Sequence, residues 1–316
     1  MKRLHMVLTL ALFLSAIEVR VCAYNAIVDG IYYNLFDSTA HVTYCPFPSN
    51  NNAYSGCVVI PESITYKGKS YTVDAIDGEA FHNSLSLTDV IIPISVSSIG
   101  GGAFRNCSGL TSIVIPNSVK RIKNNTFEGC TGLTDVTIPG SINSIDTEAF
   151  EGCTSLVGIT IPDSVLSIGS EAFKDCSSLA SVSIPNSVAS IGYDAFKNTF
   201  IYTNSPDGVI FIDKWVCGYK GSMPPNTVIT LQEGAKGIAD NVFYSYSDLV
   251  GITIPNSVVS IGSAAFFECA SLANLKIGNS VESIGNSAFG KCSNLTSISI
   301  PNSVLLIGNY AFAGCI

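Results

Sequence analysis

Residues 153–173 read CTSLVGITIPDSVLSIGSEAF, and at Cys176 nearly the same line begins again. Within it Ile159 and Ile161 alternate with Gly158 and Thr160, the two-residue period of a half-buried strand. Pro162 stops that strand because it has no N–H for a ladder. Asp163-Ser164, Asn-Ser in most other copies, then turns the chain. Val165 and Ile168 point inward from a second extended piece, Gly169 opens a corner, and a single helical turn is expected at Ala172-Phe173. Leu156, Ile159, Ile161, Val165, Ile168, Ala172, Phe173 and Cys176 fill the inside of this coil. So thin a coil buries them mainly against its neighbours. The corner slot holds Gly100, Gly169, Gly192, Gly262, Gly285 and Gly308 but also Lys123, Asp146 and Ala239, so a positive φ is not demanded there.

Outward from this line, phenylalanines recur every 23 residues at 81, 104, 127, 150, 173 and 196, and again at 243, 266, 289 and 312. A fixed short period means stacked structural units and not a globule. The line LTSIVIPNSVKRI…TFEGC at 110–130 resembles the BspA-like, or Treponema-type, leucine-rich repeats, over roughly residues 58–316. The resemblance implies a leucine-rich-repeat solenoid, mainly β, curved, with strands lining one face. It also implies a protein secreted or displayed on a microbial surface, where several such proteins act as adhesins for host proteins or other cells.

The chain has 316 residues, 47% hydrophobic and only 13% charged, with a net charge of −8. Many apolar side chains and few charges suit a dry solenoid with a Ser/Thr/Asn surface. The acidic balance argues against nucleic acid and anionic lipid as partners. At the N-terminus, Lys2 and Arg3 precede an apolar run, Met6–Ile17, and small residues before Tyr24, which reads as a signal peptide over 1–23. Cys22 is a lesser alternative, a lipidation site. No later segment is long and apolar enough for a transmembrane helix.

Residues 24–57 lack the repeat and read as an N-terminal β cap, with two strands joined near Asp37. Repeats are expected over 58–197 and 227–316, the latter with no C-terminal cap. An uncovered edge invites self-association with another copy. Between them, 198–226 is an irregular insertion in which Asp213-Lys214 can turn a β-hairpin. It carries the only Trp of the chain, Trp215, with Tyr202, Phe211 and Tyr219. Such a cluster is either a contact hot spot or the filling for a missing regular coil. If the hairpin holds, Trp215 and Tyr219 share a strand face, so exposure of one implies exposure of the other.

Seven cysteines stand three residues after a phenylalanine, at 107, 130, 153, 176, 269, 292 and 315. Stacked equivalents project in parallel, and Ser84, Thr199 and Tyr246 share the slot, so buried free thiols are expected. Cys45 and Cys57 flank a polar loop and are the candidate disulfide. No spacing suggests a metal site or a cofactor loop. His41 and His82 each stand alone, without the nucleophile and orienting acid that catalysis needs, and no enzyme is expected. Outward strand positions, among them Asp135, Thr137, Thr160, Ser183, Thr253 and Lys276, are mostly small and mildly polar, a wall suited to a large partner. The expected function is non-catalytic binding of a protein or cell-surface ligand. The alternative is a structural spacer or self-assembly module.

Overall fold

The computed structural model describes residues 24–44 and 54–315. Residues 1–23, read above as a signal peptide, and Cys45, and with Cys45 the proposed Cys45–Cys57 pair, lie outside the described residues.

Each coil has three sides. Short front strands follow one another at Leu87–Ile91, Ser112–Val114, Asp135–Thr137, Gly158–Thr160 and Ser181–Ser183. Pairing is parallel and one coil out of step, so Gly158, Ile159 and Thr160 face Ser181, Val182 and Ser183. A side ladder of two-residue strands, Arg-Ile in the first and Ser-Ile in the rest, stacks Ile122, Ile145, Ile168 and Ile191 in register. Every isoleucine in it is buried.

The third side departs from expectation, because it contains no helical turn. In a helix each N–H would turn back on its own chain. Here every second N–H crosses to the next coil: Glu148 to the carbonyl of Ser170 at 2.9 Å, Phe150 to Ala172 at 2.8 Å and Gly152 to Lys174 at 2.8 Å. The N–H groups between them close tight turns on residues three back, as Cys153 does on Phe150 at 3.2 Å. The alternation needs left-handed residues two before and two after each Phe, as at Glu171 (φ 57°) and Asp175 (φ 59°). The second of these slots is mostly Asn, Asp or Gly, which tolerate that region best. The N–H groups from Glu148 to Cys153 are thereby all paired, alternately along the rod and within the turn.

Phe81, Phe104, Phe127, Phe150, Phe173 and Phe196 form one column of near-parallel rings, with centroids 5.0 to 5.4 Å apart. Tyr54 covers its first ring at 4.5 Å. A second column runs through Phe243, Phe266, Phe289 and Phe312. The repeat thiols are free, and most are fully buried. Each donates to the carbonyl of the previous coil's Phe, for example Cys153 to Phe127 at 3.2 Å and Cys176 to Phe150 at 3.1 Å. Burial pushes the thiols of Cys107, Cys269 and Cys292 up to about 12.

The corner glycines serve close approach. Gly169 has no left-handed φ, but a Cβ there would lie 2.5 Å from the backbone of Asp146 and Thr147.

At the N-terminal end, the first run of the cap is itself a hairpin, Ala26–Val28 with Ile31–Leu35, turned at Asp29-Gly30. Thr39–Thr43 adds to it, giving three strands where the sequence suggested two. Thr39–Thr43 then runs parallel to Lys69–Ile76, which hairpins with Ser63–Tyr66 and passes the sheet on to the side ladder at Ser98–Ile99.

Candidate functional site

Two surfaces carry the candidate residues. The first is the front wall. Outward-facing residues fall into two columns because strand side chains alternate. Asp135, Thr160 and Ser183 come together in a shallow groove of about 410 Å³. Thr253 and Lys276 line another, of about 590 Å³. Thr137 is exposed beside the first. Toward the cap the same outward column turns apolar: Val59 is 57% exposed, Ile91 56% and Val114 64%. Val59 and Ile91 are cross-strand partners, and Val114 pairs with Thr137, so the apolar strip runs straight into the polar part of the wall. The alternating pattern had placed Ile91 and Val114 outward. Their alignment with Val59 is what sequence reasoning missed, because Val59 lies in the first coil, where Pro61 and Phe81 stand 20 residues apart and not the 11 of Pro162 and Phe173.

The second surface is built by the insertion. Thr199 Oγ1 accepts from the N–H of Tyr202 and caps a four-residue helix, Phe200–Thr203. Lys220 Nζ donates to the carbonyls of Thr203 and Ser205, at 2.6 and 2.7 Å. That pins the helix to a hairpin of Gly208–Ile212 and Trp215–Lys220. Trp215 and Val216 join the side ladder in register with Gly237 and Ile238. The hairpin thus heads a second side ladder, separate from the one that ends at Ser190–Ile191, and brings no corner run. Between the corner runs at Tyr193–Lys197 and Asp240–Tyr246 this leaves a cleft of about 580 Å³.

The four aromatic candidates divide. Tyr202 and Tyr219 line the cleft. Trp215 is 1% exposed and fills the core, so it is not a contact residue. Its ring lies flat on Gly237, where a Cβ would sit 2.4 Å from it. Phe211 is half-buried against the same core. The shared face expected for Trp215 and Tyr219 is broken by a β-bulge. Phe211 faces Val216 but Ile210 faces Gly218, leaving Cys217 over and reversing the alternation.

The cleft also gathers groups that spacing could not single out, since Tyr193 and Tyr244 are 51 residues apart. Lys197 Nζ meets Asp194 Oδ2 at 2.7 Å and lies 5.9 Å from the Tyr193 ring centre. The hydrogen bond to Asp194 raises the Lys197 pKa, and its bond to Asp194 raises that of Tyr193. Burial raises the phenols of Tyr202 and Tyr246. Burial also raises the Asp240 carboxyl, opposed by the N–H of Ser263, which donates to Asp240 Oδ1 at 2.6 Å.

The sequence suggested that His41 stands alone, and the structure gives it partners. Its Nδ1 lies 2.9 Å from Asp77 Oδ1 and its Nε2 3.3 Å from Asp74 Oδ1, while Asn34 donates to the other oxygen of Asp77. These contacts tie the cap to the first coil. Among the described residues, no group of three or more His, Cys, Asp and Glu is placed to hold a metal ion.

A model of the BspA type leucine-rich repeat region matches residues 29–107, 74–202 and 222–316, in six copies. The chain belongs to the BspA-type leucine-rich repeat family. A leucine-rich repeat protein from Bacteroides ovatus is similar to this BspA-type chain at 29% identity and a TM-score of 0.53, over 93% of each chain. A structure from Faecalibacterium prausnitzii described as a leucine rich cell surface protein is also 29% identical, covering 93% of this chain and 87% of its own, at a TM-score of 0.49. The T. pallidum leucine-rich repeat protein is 25% identical, covering 78% and 90%, at 0.39. No match was found among curated proteins.

Proposed function

We infer that this BspA-type protein is a non-catalytic binding protein, exported and held outside the cell, whose front wall adheres to proteins of a host or of another cell. The observation that carries this reading is the exposed strip of Val59, Ile91 and Val114 leading into the shallow polar groove at Asp135, Thr160 and Ser183. Aligned exposed apolar side chains with a polar rim mark protein contact surfaces. A groove this open is ill suited to desolvating a small substrate. Export draws on the basic and apolar start of the chain. The test is binding of the folded protein to immobilised extracellular-matrix proteins and to whole cells. Saturable binding should fall at least tenfold in Ile91→Asp/Val114→Asp. Binding that is absent, or untouched by that variant, would reject the wall. Cell fractionation checks export.

A further inference from the structure

We propose that the cleft at the interruption of the repeat is a saccharide-binding site that takes one or two sugar units of a neutral glycan. Its volume, about 580 Å³, lies within the range of roughly 300–1,000 Å³ usual for small-ligand sites. The lips are aromatic. Tyr193 projects from one coil and Tyr244 from the next, 40% and 44% exposed. Tyr244 is braced by the ring of Phe267, centroids 5.3 Å apart. Ring faces of this kind suit the C–H side of a pyranose, the apolar side of an otherwise polar ligand. Deeper in, the phenols of Tyr202 and Tyr246, the amide of Asn241 and the carboxyl of Asp240 offer both donors and acceptors.

Charge selects against an ion. Lys197 and Asp194 neutralise each other at 2.7 Å, so neither is free to hold a counter-charge. One oxygen of Asp240 is already taken by the N–H of Ser263. A cation would find a single, partly used carboxylate, and an anion would face that carboxylate. A neutral polyhydroxy ligand meets neither penalty. The phenols are protonated at neutral pH, as ordinary tyrosines are; that of Tyr246 already donates to the Tyr219 carbonyl at 3.5 Å and offers its oxygen as an acceptor, while that of Tyr202 offers a donor.

The site is also preorganised. Tyr202 sits on a capped turn clamped by Lys220. Its phenol lies over Gly218, where a Cβ would meet Oη at 2.5 Å. Only glycine lets the ring lie there. The cleft is on the corner side of the rod and the adhesive strip is on the front, so this inference stands apart from the front-wall reading.

The experiment is a glycan array probed with the folded protein. It carries neutral gluco-, galacto-, manno-, xylo- and chito-oligosaccharides, sialylated and sulfated glycans, and immobilised choline as a cation. Hits are then titrated by calorimetry. At least one neutral series should be retained. Tyr193→Ala and Tyr244→Ala, both at exposed positions, should each weaken it about tenfold or more. Gly218→Ala should do the same by displacing Tyr202, and Thr160→Arg on the front wall should leave it unchanged. Retention of charged glycans or choline alone would overturn the proposal. So would an array with no hit, or neutral binding that survives the two tyrosine variants together. A blank array with protein adhesion intact would remove this site and leave the wall.

Discussion

Phe150→Ala tests whether the rod is two cooperative blocks joined at the insertion. Phe150 is fully buried, with rings on both sides at 5.2 and 5.3 Å. Burial of the side chain contributes about 1.5–3 kcal/mol, and two ring pairs add about 1–3 kcal/mol. The total agrees with the ~3–5 kcal/mol typical of Phe truncations. In a solenoid that loss is felt by neighbouring coils and spreads only as far as the interfaces are strong. At the insertion they are weak. The ring column stops at Phe196 and restarts at Phe243. The front ladder ends at Ser181–Ser183, and another begins at Thr227–Thr230. Trp215 belongs to the second block, because its strand pairs with Gly237–Ile238 and through it with Ser260–Ile261. Urea unfolding of Phe150→Ala followed by far-UV circular dichroism should therefore show an N-terminal transition shifted down by about 1–2 M. The Trp215 fluorescence midpoint should stay in place. Phe289→Ala, between Phe266 and Phe312, should move the fluorescence midpoint instead. A single transition that shifts equally in both probes for both variants would refute the two-block argument.

Three further outcomes are expected. Gly169→Ala should lose about 1–3 kcal/mol by pushing a methyl into the backbone of the coil beneath, while Gly140→Ala, with open space around it, should stay within about 0.5 kcal/mol on denaturation. In the reduced folded protein at pH 8, maleimide should label the exposed Cys57 and spare Cys107, Cys269 and Cys292, whose thiols are shifted up to about 12; mass mapping that finds those three modified before unfolding would contradict the buried ladder. Asp240 has a raised carboxyl pKa, so its contribution to stability is full below the ordinary value of about 4 and is lost as pH rises from there through the raised value. Asp240→Asn should therefore stabilise the protein at pH 7 and show a shrinking gain as pH falls toward that value, measured by thermal melts across pH.

The repeat was legible because one thin coil repeats one solution: Ile159, Ile161, Val165, Ile168 and Phe173 have no interior unless the same residues recur above and below. The helical turn was misread because Ala172-Phe173 looks helical in isolation. What decides the conformation is the neighbouring coil, whose carbonyls claim alternate N–H groups and force Glu171 and Asp175 into left-handed geometry. The same distinction explains the aromatic candidates. Trp215 and Tyr219 were placed on one face by counting residues, and a single bulged residue, Cys217, reversed the count. No local pattern announces such a bulge.

A strictly periodic rod presents the same three sides at every step, so it has little means of making a concave site with unlike groups. Interrupting the period supplies one. Once Trp215 heads a second side ladder and no corner run accompanies it, the Phe column is interrupted between Phe196 and Phe243 and a cleft opens beside the gap. Tyr193 and Tyr244, which stand on corner runs, both line the opening together with Tyr202. The structural cost of the break falls on the junction, where a ring stack and a front-strand pairing are lost. A segment that only filled space would not need Gly218 beneath Tyr202 or Lys220 clamping the turn that carries it. Those two residues hold Tyr202 in place at the opening. That is why the site is expected here, and why Gly218→Ala separates binding from fold.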